Sequence, residues 1–283
     1  MAGPIAACTK ETSMHLLPDL GRRTLIMGIL NVTPDSFSDG GDFAGLEAAL
    51  AHAAVLRGEG ADIIDIGGES TRPTATPVAT EDEIARVEPV IRALAPAIGV
   101  PISIDTYKAA TAEAALAAGA TIVNDIWGLQ REPEIARVAA AHGAPVVVMH
   151  NRTTIDGSLD IIEDMKAFFA RSITIAQTAG IADDHIILDP GVGFGKTFEQ
   201  HIEAIARLDE LRPLGYPLLM GTSRKSVIGR LTGDRLGPRQ RLNGTIATNV
   251  AAILAGADII RVHDVAAHKE AALVADAIRR ARR

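Results

Sequence analysis

The sequence predicts a single-domain (β/α)8 barrel of the TIM type, preceded by a short N-terminal extension. Eight short apolar runs rich in Ile and Val alternate with eight longer, Ala-rich helical stretches along the 283-residue chain. The apolar runs lack polar alternation, which is typical of parallel strands buried on both faces. An open doubly wound sheet is the alternative, but strict alternation without a linker or composition break favours closure. We assign residues 1–23 to the extension and residues 24–283 to the barrel domain.

Each predicted strand is a short apolar run that begins after a turn and ends at a polar residue or glycine. In chain order, the predicted strands are Thr24–Leu30, Asp62–Ile66, Pro101–Ile104, Thr121–Asn124, Pro145–Met149, His185–Leu188, Pro217–Met220 and Asp258–Val262.

Each predicted helix is an Ala-rich stretch, and most are followed by glycine, which readily adopts the left-handed conformation at a helix C-terminus. Thr80 is predicted to cap the second helix, because a Thr hydroxyl can accept hydrogen bonds from the first turn. In chain order, the predicted helices are Leu46–Arg57, Glu81–Leu94, Lys108–Ala118, Glu134–His142, Leu159–Ala179, Phe198–Leu211, Pro238–Ala255 and Ala266–Arg282.

The composition excludes several classes of protein. With 28 basic and 35 acidic residues the net charge is −7, so we expect neither nucleic acid nor an anionic membrane as a partner. A lone cysteine, Cys8, excludes an intrachain disulfide framework and a thiolate zinc site. No apolar run approaches the ~18 residues of a membrane span, and no basic-then-apolar leader pattern is present. We therefore expect a cytoplasmic protein with a small-molecule ligand.

Polar residues stand at the end of almost every predicted strand, where the active site of such a barrel lies. They are Asn31, Asp65, Asp105, Asn124, Asp125, His150, Asp189, the segment Gly221–Ser226, Arg261 and His263. A structural role, either capping of the next helix or structural pairing, is the competing explanation; we favour it for Asp125, and we leave capping open for Asp105. For His150 we favour a polar strand end over a ligand group.

The strand-end residues fall into two chemical groups. Asp105, Asn124 and Asp189 offer carboxylate and amide groups that suit a flat, nitrogen-rich ring. A cationic group suits a phosphate or pyrophosphate, since Arg and Lys pair with such anions. Its members are Arg72, Lys225, Arg261 and His263, with Asn31, Thr71 and Ser226 as neutral partners.

The segment Gly191–Thr197 resembles a phosphate-binding loop, but Pro190 stands where that motif needs its first glycine. We therefore predict a tight, exposed loop near a ligand and give Lys196 no role in nucleotide binding. The histidines lack the spacing of a zinc site.

Two segments after the first two strands, residues 32–43 and 67–79, exceed the usual length of ~2–6 residues for such connections. Long segments at a catalytic face are often lids, so we expect a role in binding for both.

Seven motifs occur in the order known from one family, and together they span about Leu25 to Val265. They are Met27–Gly41, Asp65–Pro73, Ser103–Thr106, Asn124–Ile126, Leu188–Lys196, Ser223–Ser226 and Arg261–Asp264. On these motifs the chain resembles dihydropteroate synthase of the bacterial type. The resemblance implies condensation of para-aminobenzoate with 6-hydroxymethyl-7,8-dihydropterin pyrophosphate in folate biosynthesis. It also implies a homodimer, a Mg²⁺ ion that accompanies the pyrophosphate, and sensitivity of the para-aminobenzoate pocket to sulfonamide mimics.

The resemblance assigns site residues by matching position. The pterin residues it implies are Asp65, Asp105, Asn124, Ile126, Met149, Asp189, Phe194, Gly221 and Lys225. The pyrophosphate residues are Asn31, Thr71, Arg72, Arg261 and His263, and Asn31 also contacts Mg²⁺. The para-aminobenzoate residues are Phe37, Pro73, Lys225 and Ser226. Lys225, Asp35 and Asp105 are the expected catalytic residues.

Two other functions remain open at this point. A pterin-binding methyltransferase of the corrinoid pathway would share the barrel and the pterin carboxylates. A non-catalytic paralogue would bind pterin without turning it over. For a dimer, we expect the interface on the predicted helices Pro238–Ala255 and Ala266–Arg282.

Overall fold

The computed structural model describes residues 17–33, 41–70 and 76–282. The described residues form eight strands, and every neighbouring pair is parallel. The strands are β1 Leu25–Asn31, β2 Ile63–Gly67, β3 Ile102–Asp105, β4 Ile122–Asp125, β5 Val146–Met149, β6 Ile186–Asp189, β7 Leu219–Met220 and β8 Ile259–Val262.

The sheet closes on itself. Its strand order is β6-β5-β4-β3-β2-β1-β8-β7, and a parallel bridge between Leu188 and Leu218 joins β6 to β7. The prediction of a TIM barrel is therefore confirmed, and the open doubly wound sheet is excluded. The division into an extension and a barrel domain stays a prediction.

Helices follow the strands around the outside of the barrel. They are α1 Gly41–Gly58, α2 Thr80–Leu94, α3 Ala109–Ala118, α4 Glu134–Ala141, α5 Ile161–Ala179, α6 Phe198–Ala206, α7 Ser226–Leu231, α8 Leu242–Leu254 and α9 Val265–Ala281. The sequence analysis missed α7, which has six residues and is too short to show a helical period. Two predicted helices are also shorter than expected, because 3-10 turns take up Leu208–Leu214 and Pro238–Gln240.

The helix ends confirm one prediction about helix capping and contradict another. Gly119 and Gly180 adopt left-handed φ angles of 116° and 96° after α3 and α5, as their position predicts. Thr80, however, is not a cap: it lies inside α2, and Ala79 precedes the helix without a side-chain hydrogen bond. Acidic residues in the first turn of α2 interact favourably with the helix dipole instead.

The barrel interior has an apolar N-terminal end. Inward-facing side chains form one buried cluster there: Leu25, Met27, Ile63, Ile122, Val147, Ile187, Leu219 and Ile259. Leu17 and Leu20, in the turn before β1, belong to the same cluster and close this end of the barrel. Outward-facing strand residues such as Ile26, Ile64 and Ile104 pack against the helices.

No helix in the described part of the chain is long and apolar enough to cross a membrane.

Candidate active site

The C-terminal end of the barrel interior is polar, in contrast to the apolar end below it. Residues two apart in a strand face the same side of a sheet. Each position two residues beyond the apolar cluster therefore also points inward. These inward positions are Asp65, Asn124, Met149, Asp189, Gly221 and Arg261, together with Ile29 on β1, and β3 adds Asp105. The barrel thus brings together six of the nine residues predicted for the pterin site with Arg261, a cation within β8.

Arg261 lies at the centre of this constellation. Its Nε donates to Asp65 Oδ2 at 2.5 Å, and its Nη2 donates to Asp105 Oδ2 at 2.6 Å. Asn124 Nδ2 donates to the same Asp65 oxygen at 3.3 Å. From the sequence, Arg261 belongs to the predicted anion-binding group, whereas in the structure it pairs with Asp65 and with Asp105 of the ring-binding group. The two predicted groups are therefore physically joined.

Asp105 keeps one oxygen available. Its Oδ1 is buried, and no hydrogen-bond donor among the described residues reaches it. The helix that follows begins after Lys108 and has no side-chain cap, so Asp105 does not cap it. Burial raises the pKa of Asp105 to about 7, although Arg261 opposes this shift. A ligand with a donor edge would satisfy the free oxygen.

Asp189, Gly221 and Lys225 form the other side of the cavity. Asp189 Oδ1 accepts a hydrogen bond from the Gly191 N–H at 2.7 Å, and burial raises the pKa of this carboxyl. A Cβ added at Gly221 would lie 3.7 Å from Lys225 Nζ and 3.8 Å from Asp189 Oδ2. Glycine therefore leaves open the space on which these two groups converge.

Lys225 precedes α7 and points into the barrel mouth. Its ammonium donates to the Val192 carbonyl and lies 4.7 Å from the centroid of the Phe194 ring. Burial lowers the pKa of Lys225 to about 8, and the charge of Asp189 opposes that shift. Lys225 is thus a weakly acidic cation close to a carboxylate, an arrangement typical of functional sites.

Hydrogen bonds and an ion pair link the turn after β7 to the turn after β8. Ser223 Oγ and His263 Nδ1 are 2.9 Å apart, and the His263 N–H donates to the same hydroxyl at 3.2 Å. Arg224 binds Asp264 through two hydrogen bonds, of 3.0 Å and 2.5 Å. The sequence placed Ser223, Arg224 and Asp264 only within larger motifs and gave none of them a role of its own. Ser226, the next predicted residue, begins α7.

The remaining predicted residues lie at the rim. Asn31 ends β1 beside Gly67 and is exposed. Ile126 is buried, and its carbonyl accepts a hydrogen bond from Asn151 Nδ2 at 3.1 Å. Five predicted residues fall outside the described part of the chain: Asp35, Phe37, Thr71, Arg72 and Pro73.

Two strand-end residues have structural roles. Asp125 accepts hydrogen bonds from the N–H groups of Trp127 and Leu129 at 2.8 Å and 2.6 Å, so it organises the turn after β4. His150 is fully buried, and its Nε2 lies 3.0 Å from Asp164 Oδ2. Burial lowers the pKa of His150 to about 3, which keeps the ring neutral. Both results agree with the interpretations favoured from the sequence.

The prediction of an exposed loop at Gly191–Thr197 is wrong. Gly191 and Val192 are buried, and Lys196 is only 3% exposed. The reason is that the Lys196 ammonium bonds to backbone carbonyls of the loop itself and of the turn after β5.

Sequence comparison identifies relatives across most of the chain. Residues 27–263 match the family described as "Pterin binding enzyme". The dihydropteroate synthase of Clostridium beijerinckii is 49% identical over 261 residues, which cover 92% of this chain and 96% of that protein. The dihydropteroate synthase of Bacillus subtilis is 51% identical over 243 residues, covering 86% and 84% of the two chains.

Solved structures show the same fold. A dihydropteroate synthase from Clostridium difficile, crystallised in the presence of pteroic acid, superimposes with a TM-score of 0.89 and 54% identity, covering 92% of this chain and 98% of that one. The Xanthomonas albilineans dihydropteroate synthase in complex with 7,8-dihydropteroate gives a TM-score of 0.82 at 43% identity, covering 90% and 94%.

Proposed function

This chain belongs to the dihydropteroate synthase family of pterin-binding enzymes, and we propose that it condenses para-aminobenzoate with 6-hydroxymethyl-7,8-dihydropterin pyrophosphate. The products are 7,8-dihydropteroate and pyrophosphate. One observation carries the proposal: buried carboxylates at inward strand positions share the barrel mouth with the cations Arg261 and Lys225. Such a site can hold a ring with a donor edge beside an anionic leaving group.

The pterin ring occupies the carboxylate side of the site in this proposal. Asp105 Oδ1 has no partner among the described residues, and the buried Asp189 lies across the same cavity. Charged acceptors make stronger hydrogen bonds than neutral ones, so these two carboxylates supply most of the ring recognition. Met149 and Phe194 form apolar walls, and Gly221 leaves room for the ring.

The pyrophosphate occupies the cationic side. Arg261 lies in β8 and His263 in the turn directly after it, so we propose that both contact one anion at this end of the barrel. Thr71 and Arg72 are proposed partners from the sequence.

Asn31 is the residue that would hold a Mg²⁺ ion together with the pyrophosphate in this proposal. Magnesium is usually held by one or two protein oxygens together with substrate phosphates and water. Asn31 fits that need because it offers an amide oxygen at the exposed rim of the barrel. No group of three or more His, Cys, Asp or Glu side chains in the described ranges could hold a metal ion by itself. The ion, when bound, neutralises charge on the leaving group.

The reaction requires one bond to break and one to form. The carbon–oxygen bond between the pterin methylene and pyrophosphate breaks, and its electron pair leaves with pyrophosphate. The amine lone pair of para-aminobenzoate forms the new carbon–nitrogen bond, and one proton passes from the nitrogen to solvent. Because a neutral aniline is already a nucleophile, the site needs positioning more than a strong base. Asp105 and Asp189 stabilise positive charge on the pterin, while Arg261 and Lys225 stabilise negative charge on the leaving group.

The second substrate binds above the pterin. Lys225 and Ser226 are adjacent at the start of α7, and we propose that they border para-aminobenzoate together with Phe37 and Pro73. Asp35 completes the proposed catalytic residues. Sulfonamide mimics of para-aminobenzoate are expected to compete for this pocket.

We also propose that the enzyme is a cytoplasmic homodimer. Helix α9 exposes the apolar residues Leu273, Val274 and Ile278, which supports an interface on α8 and α9. Sedimentation of the purified protein at micromolar concentration should then give twice the mass of one chain.

The deciding experiment supplies both substrates with Mg²⁺ and measures 7,8-dihydropteroate by mass spectrometry and pyrophosphate by a coupled assay. We expect both products in equal amounts, and loss of turnover when a chelator removes Mg²⁺. A reaction without para-aminobenzoate is the control for simple hydrolysis. Binding of pterin without any condensation would overturn the proposal in favour of a non-catalytic paralogue. Transfer of a methyl group from a methylated pterin to a corrinoid would favour the methyltransferase.

A further inference from the structure

The turn between β6 and α6 contains a buried lysine to which the reaction gives no role. Lys196 is 3% exposed, and its ammonium donates to three backbone carbonyls. These are His150 O at 3.3 Å, Gly191 O at 3.0 Å and Phe194 O at 3.1 Å. An ammonium has three N–H donors, so this cage uses all of them. No carboxylate among the described residues accepts a hydrogen bond from it.

A buried cation without a bonded carboxylate is costly, since burial penalises the charged form. Accordingly, the pKa of Lys196 is lowered to about 7. An apolar side chain of similar length would avoid this cost. An apolar side chain would leave the three backbone carbonyls without a donor. We therefore attribute the role of Lys196 to the backbone segments that its ammonium holds together.

That backbone shapes two site residues directly. The Gly191 N–H donates to Asp189 Oδ1 at 2.7 Å, and the Val192 carbonyl accepts a hydrogen bond from Lys225 Nζ. The Phe194 ring faces the same ammonium. One turn therefore orients both the carboxylate and the lysine of the proposed pterin site.

The shape of the turn is narrowly specified. Gly191 and Gly193 have left-handed φ angles of 66° and 95°. A Cβ at Gly191 would lie 2.0 Å from the His150 carbonyl oxygen, and one at Gly193 would lie 2.9 Å from Lys225 Cδ. On its outer side, the Gly193 N–H donates to His201 Nδ1 at 3.1 Å. Lys196 and His201 thus hold the same turn by independent contacts.

We propose that Lys196 is a positioning residue, whose caged ammonium holds the β6–α6 turn in the shape that presents Asp189 and Lys225 to the pterin. Lys196 itself does not touch the substrate. The inference rests on the proposed function for the identity of the ligand.

The test compares Lys196→Met, which keeps the length of the side chain but removes its donors, with Lys166→Met on the surface of α5. Lys166 pairs with Glu163 at the surface, so its removal should leave pterin binding unchanged. We expect Lys196→Met to weaken binding of 6-hydroxymethylpterin in calorimetry by at least tenfold. The KM for pterin pyrophosphate should rise similarly, while the KM for para-aminobenzoate changes by less than threefold.

A second variant, His201→Leu, loosens the same turn from the other side. It should weaken pterin binding at least threefold, and the double variant should lose less than the product of the two single losses, because both act through one turn. The His201→Leu result also decides the matter if Lys196→Met does not fold.

A purely structural lysine predicts a different pattern. Lys196→Met would then lower the unfolding temperature while pterin affinity and both KM values stay within twofold of wild type. That result would overturn the proposal, as would unchanged pterin affinity in His201→Leu. Calorimetry needs only the bare pterin, so a wild-type protein that binds pterin without turnover would contradict the proposed reaction but leave this comparison intact.

Discussion

Two buried clusters in this molecule each place one cation between two carboxylates. They differ in how many of their polar atoms have a hydrogen-bond partner. In the barrel mouth, Arg261 lies between Asp65 and Asp105. Outside the barrel, Lys108 lies between Glu69 and Glu83, at 2.6 Å and 2.7 Å.

The outer cluster is complete. The third donor of Lys108 goes to the Val78 carbonyl at 2.6 Å. Tyr107 donates to Glu69, and Thr111 donates to Glu83. Hydrogen bonds to both carboxylates raise the pKa of Lys108 despite burial. This cluster joins α2 and α3 to the residues on either side of segment 71–75.

The inner cluster is incomplete. Asp105 keeps a buried oxygen without a donor among the described residues, and burial raises its pKa to about 7. An unsatisfied buried carboxylate destabilises the folded protein unless something binds it. The difference teaches that satisfaction of hydrogen bonds, more than charge or burial, separates a structural ion cluster from a binding site.

The largest effect should come from breaking the complete cluster. Lys108→Met would leave Glu69 and Glu83 close together without a cation, and removal of one partner from a buried cluster costs about 3–5 kcal/mol of unfolding free energy. We expect that loss in chemical denaturation. In the fraction that remains folded, calorimetry should show pterin affinity within threefold of wild type. If Lys108→Met were as stable as wild type but had lost pterin affinity, the outer cluster would be part of the binding site, and the distinction between the two clusters would be wrong.

A smaller effect should follow from changing a carboxylate on the incomplete side. Asp189→Asn removes a charged acceptor from the proposed ring contact, which corresponds to about 1.5–3 kcal/mol of binding free energy. Pterin affinity measured by calorimetry should fall accordingly, while the unfolding temperature stays level or rises, because burial already disfavours this charge. Unchanged pterin affinity would remove Asp189 from the site.

The pH dependence of pterin binding gives a third comparison. Ionised Asp105 is the better acceptor, so affinity should rise about tenfold from pH 6 to pH 8 as Asp105 loses its proton near pH 7. Above pH 8, Lys225 loses its proton, its attraction to Asp189 disappears, and affinity should fall again.

Variants assign the two limbs of this profile. Asp105→Asn should flatten the acidic limb, and Lys225→Met should flatten the alkaline one. Isothermal titration across the pH range tests both. If the pterin affinity of the wild-type protein does not change with pH, then pterin binding does not depend on the protonation of Asp105 or Lys225.

The position of the site could be predicted from the sequence, whereas its connections could not. Asp65, Asn124 and Asp189 stand at the ends of predicted strands, and that position alone places them at the barrel mouth, where the active site of this fold lies. The pairing of Arg261 with Asp65 and Asp105 depends on a long side chain crossing the barrel between residues that are 196 and 156 positions apart. No local pattern reports such a contact.

The β6–α6 turn was misjudged for a related reason. Its glycines correctly indicate a tight turn, but the same composition describes an exposed loop and a buried one. What buries it is Lys196, and a lysine is seldom buried without a carboxylate. Helix α7 escaped notice because six residues contain less than two helical turns.

The smallest effect distinguishes Arg261 in β8 from His263 in the turn that follows it. Arg261→Ala would leave Asp65 and Asp105 without their shared cation, so affinity should fall for both bare pterin and pterin pyrophosphate. His263 lies in the turn after β8, where its ring and its N–H both bond with the Ser223 hydroxyl. His263→Ala should therefore weaken only the pyrophosphate-bearing ligand, by about 0.5–1.5 kcal/mol, the net contribution of one hydrogen bond. Calorimetry with the two ligands in parallel measures the selectivity. Equal losses for both ligands in His263→Ala would mean that the turn after β8 supports the pterin pocket as a whole and does not read the anion.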